Sequence, residues 1–568
     1  MQATANGTEA YTDWDATDWQ QTERCVSNLR QRIFRASKEG NHRKVRNLQK
    51  LMLRSRANAL LAVRRVTQVN KGKYTAGVDR VVVKTPEARG ALVDQIATQQ
   101  AWRARPARRV YIPKANGKQR ALGIPTVRDR AMQAIVLNAL EPEWEARFEA
   151  TSYGFRPGRG CHDAIERIYR CALPNGNKRW VLDADIKGAF DNIGHGPLMD
   201  AIGQFPAREL IRRWLKAGYV EDGAWCATES GTPQGGVISP LLANIALHGM
   251  EEAVGVRRRR SGSRAIGKNV GPRALVRYAD DFVVFCESEA SAHEAKDILS
   301  AWLAPRGLEL SEEKTRITHL RDGFDFLGFN VRHYRTPLKS RTGLKLLIKP
   351  SKAAVKKLRT KLKERWLTLR GSNLAAVTIA LNPIIRGWAN YYRSGVSVRT
   401  FHGMDNWMFQ RCVRHVKRSH PNKPWKWLQQ RYWGKLRPNA KDRWVFSDPA
   451  DPEVYLRKFA WTKIERHILV KGDASPDDAD LRAYWDARRK RALTTLPPKQ
   501  RKLAQAQGGR CPVCNADLGN GEELHVHHIT YRRDGGDDTD GNRQLVHLYC
   551  HQQIHAGDRK RKDAQRSA

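Results

Sequence analysis

The stretch that most constrains this chain is Arg277-Tyr278-Ala279-Asp280-Asp281-Phe282-Val283-Val284-Phe285, where apolar and aromatic residues flank two adjacent carboxylates. With the Gly271-Pro272 turn signal just upstream, it predicts a β-hairpin carrying the Asp pair at its tip. Two ionised carboxylates held side by side repel, so the pair is costly unless a cation sits between them. The cation that suits carboxylate ligands and substrate phosphates is Mg²⁺. An Asp-Asp turn in an ordinary hairpin would account for the pair alone, but a third carboxylate stands in a matching setting. In Trp180-Val181-Leu182-Asp183-Ala184-Asp185-Ile186-Lys187-Gly188-Ala189-Phe190-Asp191 an apolar strand ends in acidic residues, with Gly188 and bulky Phe190 beyond. Asp185 and Asp280 presented side by side on two strands would hold two Mg²⁺ about 3.5–4 Å apart, the spacing of in-line phosphoryl transfer.

Charge narrows the partner. The 568 residues carry a formal net charge of +44, spread along the chain rather than gathered in one tail. A polyanion is implied, bound with strong salt dependence. A membrane surface is the competing partner, but the 17 Trp residues scattered among Arg and Lys suit base stacking and core packing better. No apolar run approaches the roughly 20 residues needed to span a bilayer. The polar, acidic N-terminus has no signal-peptide core. Six of the nine cysteines (Cys25, Cys161, Cys171, Cys226, Cys286, Cys412) are isolated, as in reduced cytoplasmic proteins, so a cytoplasmic location is expected.

Further motifs surround the carboxylates. Arg109 to Pro125 reads as two strands joined by the Asn116-Gly117 turn, which places Lys114 and Arg120 on neighbouring strands where both cations can grip one triphosphate. A helix opening at Arg128-Asp129-Arg130 is expected to run through Leu140. Tyr153-Gly154-Phe155-Arg156-Pro157-Gly158-Arg159-Gly160 is a basic, glycine-punctuated loop suited to close approach of nucleic acid. Gly231-Thr232-Pro233-Gln234-Gly235-Gly236-Val237-Ile238-Ser239-Pro240 lets a substrate lie against small residues. Leu310-Ser311-Glu312-Glu313-Lys314-Thr315 and Phe324-Asp325-Phe326-Leu327-Gly328-Phe329 read as a helix end, a turn and a strand.

In this order, D-x4-F-D at Asp185–Asp191 and Y-x-D-D at Tyr278–Asp281 resemble the reverse transcriptases. The form of the blocks between about 73 and 332 most resembles the bacterial group II intron-encoded enzymes. The resemblance implies that Asp185, Asp280 and Asp281 bear Mg²⁺, one ion activating a 3′-hydroxyl and the other stabilising pyrophosphate. It implies that Phe190 is the steric gate against a 2′-hydroxyl, that Gln234 contacts the incoming deoxynucleoside triphosphate, and that Lys114 and Arg120 clamp it. Lys73-Tyr74-Thr75-Ala76-Gly77-Val78-Asp79 matches the N-terminal extension of these enzymes.

The flanks divide accordingly. Residues 1–20, acidic and Thr-rich, are expected to be a mobile lead. Residues 21–332 form fingers and palm with the extension. Their first part is a basic amphipathic helix pair with Phe34, Val45, Leu48, Leu51 and Leu53 on one face, which alone reads as a solvated helix pair and beside a polymerase as an RNA-binding arm. Residues 333–432 are helical and very basic, resembling the thumb, or maturase domain. There Lys352, Lys356, Lys357, Arg359, Lys361, Lys363 and Arg365 accompany Val355, Leu358, Leu362 and Trp366. The Ile385–Arg393 stretch sets Trp388, Tyr391 and Tyr392 beside cations, a combination that either stacks bases or packs as core. Residues 433–500 read as a basic, DNA-binding region and linker.

Residues 501–568 form a metal module. Cys511-x2-Cys514 with His547-x2-Cys550 has the spacing of a closed, structural Zn²⁺ site, and a module this small needs the metal to fold. It is expected to fold and unfold as a unit of its own. A zinc knuckle alone leaves His527, His528, Asn542, His551 and His555 unexplained, and their pattern resembles an HNH nuclease. That resemblance implies His528 as general base, Asn542 as the group constraining it, and His527, His551 and His555 as ligands of one divalent ion.

The expectation is therefore an α+β multidomain protein: right-hand fingers and palm, a helical thumb, a basic DNA-binding linker and a zinc-stabilised ββα-metal HNH domain. By resemblance it binds its intron RNA as a lariat ribonucleoprotein, nicks a double-stranded DNA target and copies RNA into cDNA from the nick. A domesticated reverse transcriptase and an RNA chaperone with a dead polymerase are the rivals.

Overall fold

The computed structural model describes residues 12–97, 103–113, 117, 119–259, 268–336, 342–435, 441–451 and 453–567. Its centre is a four-stranded antiparallel sheet in the order Arg316–His319, Trp180–Asp185, Asp281–Cys286, Arg273–Tyr278. These strands are apolar along nearly their whole length because both faces are covered. Side chains alternate between the faces. Leu182, Ala184, Phe282 and Val284 join one buried cluster with Val136, Leu140 and Leu242, while Val181, Val283 and Phe285 join a second with Ile165, Phe329 and Tyr392. The second cluster continues into the helical region, so palm and thumb share a core.

The fingers are a second sheet, ordered Gln119–Ile124, Ala107–Pro113, Tyr219–Glu221, Ala224–Cys226. Its hairpin has the expected register, with Ile112 opposite Arg120, and Gly117 takes the positive φ of +80° that the turn requires. The helix after it, Val127–Glu145, runs past Leu140 and includes Pro142.

The N-terminal region differs from expectation in three ways. Residues 1–11 lie outside the described residues, but the supposed mobile lead is ordered from Thr12 onward. Trp14 is 4% exposed and meets Trp19 edge-on at 4.9 Å, and the first helix, Trp19–Lys38, begins inside that segment under an Asp18 cap. The helix pair is three helices, Trp19–Lys38, His42–Arg54 and Arg56–Arg64, ending in a π turn at Arg65–Val69. On the second, the buried face is Val45, Leu48, Gln49 and Met52, at i, i+3, i+4 and i+7. Leu51 is off that stripe and 54% exposed.

A third sheet, Phe324–Phe326, Phe329–Arg335 and Leu344–Pro350, leads into helices Lys352–Thr368, Leu374–Tyr392 and Val398–Ser419. The first of these buries Leu358, Leu362 and Trp366 at intervals of four and leaves Lys356, Lys357, Arg359, Lys361, Lys363 and Arg365 exposed. Trp388, Tyr391 and Tyr392 are core-facing: Trp388 and Tyr392 lie 4.4 Å apart, and the Tyr391 hydroxyl donates to the Leu327 carbonyl at 2.9 Å. These rings are spent on packing rather than on bases.

Residues 433–500 do not behave as a linker. Trp433, Phe446, Leu456, Phe459, Val470 and Trp485 enter the core shared by palm and thumb. Arg159 donates to the carbonyls of Gly472 (2.7 Å) and Ala474 (3.2 Å), and Asp163 accepts from the Val470 amide at 2.8 Å. Arg30 pairs with Asp477 at 2.8 Å across 447 residues of sequence. Asp-Pro and Pro-Pro punctuation breaks helices and strands without freeing the chain, which here is fastened by side chain-to-backbone bonds.

Candidate catalytic and metal centres

The Asp-bearing hairpin is braced from below. Tyr278 pairs with Asp281, and Ala279-Asp280 make the turn, with Ala279 held at φ +59°. Arg277, buried, donates from one Nη1 to the Asn244 carboxamide oxygen (3.0 Å) and the Ala279 carbonyl (3.2 Å), and Asn244 donates to the Gly154 carbonyl at 2.9 Å. Backbone bonds Arg277 N to Thr151 O (3.0 Å) and Tyr153 N to Arg277 O (2.9 Å) tie the 151–154 loop to the strand. A Cβ on Gly154 would lie 2.2 Å from the Ala279 nitrogen, so only glycine lets this loop support the turn.

The strand register places Asp185 opposite Asp281, not opposite Asp280. Asp280 occupies the turn, next to Asp281, and its carboxyl interacts with that of Asp185. This corrects the side-by-side pairing expected for Asp185 and Asp280: residues at a hairpin tip leave the ladder, so only Asp281 is in register with a neighbour. Burial pushes the Asp281 carboxyl up to about 7, reinforced by Asp280 and then Asp185. Asp280 is also raised, chiefly by burial, with Lys314 and Arg120 opposing. Lys314 reaches Asp185 directly in an ion pair. Asp183, two residues before Asp185 on the same face, is pushed up to about 7 by burial and by Asp281. Four carboxylates, three of them raised, form a donor set deficient in positive charge. That is the condition a divalent cation relieves.

The loops carrying Phe190 and Gln234 are joined to each other. Phe190 follows the left-handed Gly188 on the short helix Ala189–Asn192 and packs edge-on to Phe155 at 5.9 Å. The Phe190 carbonyl accepts from the Thr232 amide at 2.6 Å, and Gln234 Nε2 donates to Asp191 at 2.9 Å. Gly123 N to Gln234 O, 2.9 Å, anchors the same loop to the fingers hairpin. Arg120 is exposed on that hairpin and near enough to lower the Asp280 carboxyl. Lys114 lies outside the described residues.

In the C-terminal module, the sulfurs of Cys511, Cys514 and Cys550 and a His547 ring nitrogen all lie within 4.8 Å of one another. His547 Nδ1 faces Cys514 Sγ at 3.4 Å, while Nε2 reaches the Asp517 carbonyl at 3.3 Å. An outer hydrogen bond that fixes the ring is how ligand imidazoles are oriented. Three thiolates and one imidazole fit tetrahedral zinc. The ligand residues sit in one apolar cluster with Trp14, Trp19, Leu60, Val63 and Ile135. The Arg64 guanidinium lies 4.2 Å from the Tyr549 ring and 4.5 Å from that of Trp19, and Gln553 donates to the Asp15 carbonyl at 2.9 Å. The module therefore does not stand apart, contrary to expectation. Chelating zinc, or Cys511→Ser, is expected to remove about 10 kcal/mol or more of folding free energy from the module, and to raise hydrogen exchange in residues 56–69 as well. Unchanged protection of 56–69 after chelation would disprove the coupling.

The second cluster is His527, His551 and His555, again within 4.8 Å. His551 and His555 are one turn apart on the helix Leu548–Ser567, facing His527 on the strand Leu524–His528. Burial and then the His555 ring push His551 down to about 4, and His527 is lowered for the same reasons. His551 and His527 are thereby favoured as neutral imidazoles, the ligand form. His555 is oriented by the Tyr531 hydroxyl at 3.1 Å, which also bonds Asp558. His528, the next residue along the strand, points away from this set and bonds Asp538 through Nε2 at 2.8 Å. Asn542 holds the intervening loop closed: its oxygen accepts from Thr530 N (2.8 Å), and its amide donates to the carbonyls of Thr530 (3.0 Å) and Asp537 (2.8 Å).

Sequence reasoning passed over several of these groups. Asp183 was visible two residues before Asp185, a spacing that on a strand means the same face. Lys314 lies 129 residues from its partner Asp185 with no local signal. Asp538, held down to about 2 by Arg532 and then His528, looked like one more acid in a polar loop.

Residues 112–331 match the family described as reverse transcriptase (RNA-dependent DNA polymerase), and residues 14–96 the N-terminal domain of reverse transcriptase. Residues 355–433 match the group II intron, maturase-specific domain, and residues 511–557 the HNH endonuclease. Protein YkfC of Escherichia coli (strain K12) is 38% identical over 303 residues, 47% of this chain and 78% of that protein. Group II intron-encoded protein LtrA of Lactococcus lactis subsp. cremoris is 30% identical over 432 residues, 62% of this chain and 71% of LtrA. Among solved structures, telomerase from Candida albicans is a distant likeness, with TM-score 0.32 and 15% identity over 56% of this chain and 59% of that one. No helix among the described residues is long and apolar enough to cross a membrane.

Proposed function

This chain belongs to the group II intron-encoded proteins with reverse transcriptase, maturase and HNH endonuclease domains, and from that premise we propose how its residues divide the work. The chain holds its intron RNA, nicks a DNA target, and copies the RNA into cDNA from the new 3′-hydroxyl. The observation that carries this reading is the meeting of Asp185, Asp280 and Asp281 at one end of the palm sheet, in the same chain as the clustered His527, His551 and His555.

At the palm, Asp185, Asp280 and Asp281 would hold two Mg²⁺, which would activate the primer hydroxyl and stabilise the departing pyrophosphate. Lys314, ion-paired with Asp185, supplies positive charge beside the carboxylates that would hold the ions. Arg120 guards the triphosphate side, with Lys114 assigned to the same clamp. Gln234, fixed through Asp191, orients the incoming deoxynucleoside triphosphate, and Phe190 crowds the 2′ position of its sugar.

At the nuclease, His527, His551 and His555 would hold one divalent ion, supplying charge neutralisation at the scissile phosphate. His528, its Nε2–H given to Asp538, presents Nδ1 as the acceptor of a proton from water. Asn542 keeps the loop carrying Asp538 in place. The exposed Lys and Arg face of the helix Lys352–Thr368 supplies phosphate contacts to the intron RNA.

Sequencing the RNA that copurifies at high salt tests the whole reading. One spliced, structured intron enriched over cellular RNA is the expected result; a broad spread of unrelated RNAs would overturn the intron partnership. Phe190→Ala is expected to relax exclusion of ribonucleotides by about tenfold to a hundredfold, since the discrimination rests on a clash. Single-nucleotide incorporation kinetics with paired deoxy- and ribonucleotides measure it, and unchanged selectivity would remove Phe190 as the gate.

A further inference from the structure

Outside both catalytic centres, a cavity of about 340 Å³ lies where the helix Val398–Ser419 meets Trp433, residues 444–446 and residues 456–458. Met408, Leu456, Phe409, Trp433, Trp444 and Phe446 supply its apolar lining. The rings stand at steep angles around the space: Phe409 meets Trp433 at 5.6 Å and 57°, and Trp444 at 5.8 Å and 85°, while Trp433 meets Phe446 at 5.1 Å. Trp433 and Phe446 are core residues, but Trp444 is 43% exposed and offers a ring face to the cavity mouth. An open aromatic pocket is out of keeping with a surface dominated by Lys and Arg, and apolar exposure of this kind marks a binding site.

One acid and two cations line the cavity: Asp405, whose carboxylate accepts from the Phe459 (2.7 Å) and Ala460 (2.9 Å) amides, with Arg457 and Lys458. Arg457 lines the cavity, and its Nε, like that of Arg386, is buried without a hydrogen-bond partner. Burial pushes the Arg457 guanidinium down, and its cationic neighbours Arg386 and Arg501 add to this. The other cation at the rim, Lys458, is spent on Asp442 at 2.7 Å. A flat apolar ring joined to an anion satisfies both halves of the site at once, the ring among the aromatic walls and the anion on the guanidiniums.

We propose that this cavity is a nucleotide-binding site that takes one unpaired base of a nucleic-acid strand, stacked against Trp444, with the adjoining phosphate on Arg457 and Arg386. Aromatic walls accept any base, so the site reads the presence of an unpaired nucleotide rather than its identity. It is independent of the polymerase and nuclease assignments. It would fix the position of a strand on the thumb side of the protein.

The test uses the full chain and oligonucleotides of about 12 nucleotides with one central 2-aminopurine, as single-stranded DNA, single-stranded RNA and paired DNA duplex. Binding is expected to quench the probe in at least one of them. Trp444→Ala is expected to weaken that binding about tenfold and restore emission at saturation, while Trp444→Phe retains most of both. Arg457→Ala is expected to lower the salt slope by about one. Quenching of single-stranded DNA or of RNA names the strand, and quenching within the duplex means a base is drawn out of its pair. Wild-type affinity and unchanged emission in Trp444→Ala would overturn the proposal. So would a loss confined to Arg457→Ala, which would leave a phosphate contact without a base site.

Discussion

Asp280→Asn is expected to abolish cDNA synthesis while leaving RNA binding and splicing intact. The carboxylate sits in the turn between the two hairpin strands, whose backbone is braced by Arg277, Asn244 and Gly154. The substitution keeps the shape of the side chain and removes half of its capacity as a metal ligand. Metal ions supply several kcal/mol of transition-state stabilisation. Losing about 4 kcal/mol corresponds to about a thousandfold in rate. Burial already disfavours the ionised form of Asp280, so neutralising it does not threaten the fold, and thermal stability should hold or rise slightly. The basic face that would carry RNA lies on the helix Lys352–Thr368, away from the turn. Primer extension, intron splicing and filter binding on one preparation separate the functions. If splicing fell together with polymerisation while the protein remained folded, binding and chemistry would not occupy different surfaces.

What could be read from the sequence follows physical range. The Asp-bearing hairpin was legible because period-two apolar residues on both sides of a charged pair are a local signal, and so was the Asn-Gly fingers hairpin. Both metal clusters in the C-terminal module were legible because ligand spacing is itself local: Cys-x2-Cys, and two His one helical turn apart. Register across the sheet was not. Asp185 faces Asp281 because 95 intervening residues bring two strands together, and nothing near either residue states that pairing. The same holds for Lys314 on Asp185 and for Arg30 on Asp477. The helix His42–Arg54 shows a subtler failure: with Leu48, Leu51, Met52 and Leu53 close together, hydrophobicity alone does not choose the stripe. The 3.6-residue period does, selecting Met52 over Leu51. Residues 433–500 were misjudged because proline and charge mark the absence of regular structure, which was taken for absence of packing. Phe459 is buried in a three-residue 3₁₀ turn, and Trp485 on the 11-residue helix Arg482–Ala492 is buried as well. Trp14 makes the same point at the other end of the chain.

His528→Ala is expected to stop DNA nicking, by about a hundredfold to ten-thousandfold, the range a positioned general base contributes. Polymerisation on a supplied primer should be unchanged, since His528 is remote from the palm in sequence and shares no bond with it. The three ligand-set histidines remain in place in this variant, because His527 precedes His528 on a strand and points to the other face. Divalent-ion binding by His527, His551 and His555 should therefore survive, as should zinc at Cys511, Cys514, His547 and Cys550. Asp538 sharpens the assignment. It accepts the Nε2–H of His528 and is itself held by Arg532 at 2.5 Å, so it sets which ring nitrogen is left to take the proton. Asp538→Ala should lower nicking less than His528→Ala, and adding it to His528→Ala should cost nothing more, because the two act through one proton path. Nicking assays on the two single variants and the double variant decide this. A His528→Ala protein that still cuts at the wild-type rate would remove His528 as base. If instead both single changes cost rate but their effects multiplied in the double variant, Asp538 would act elsewhere than through His528.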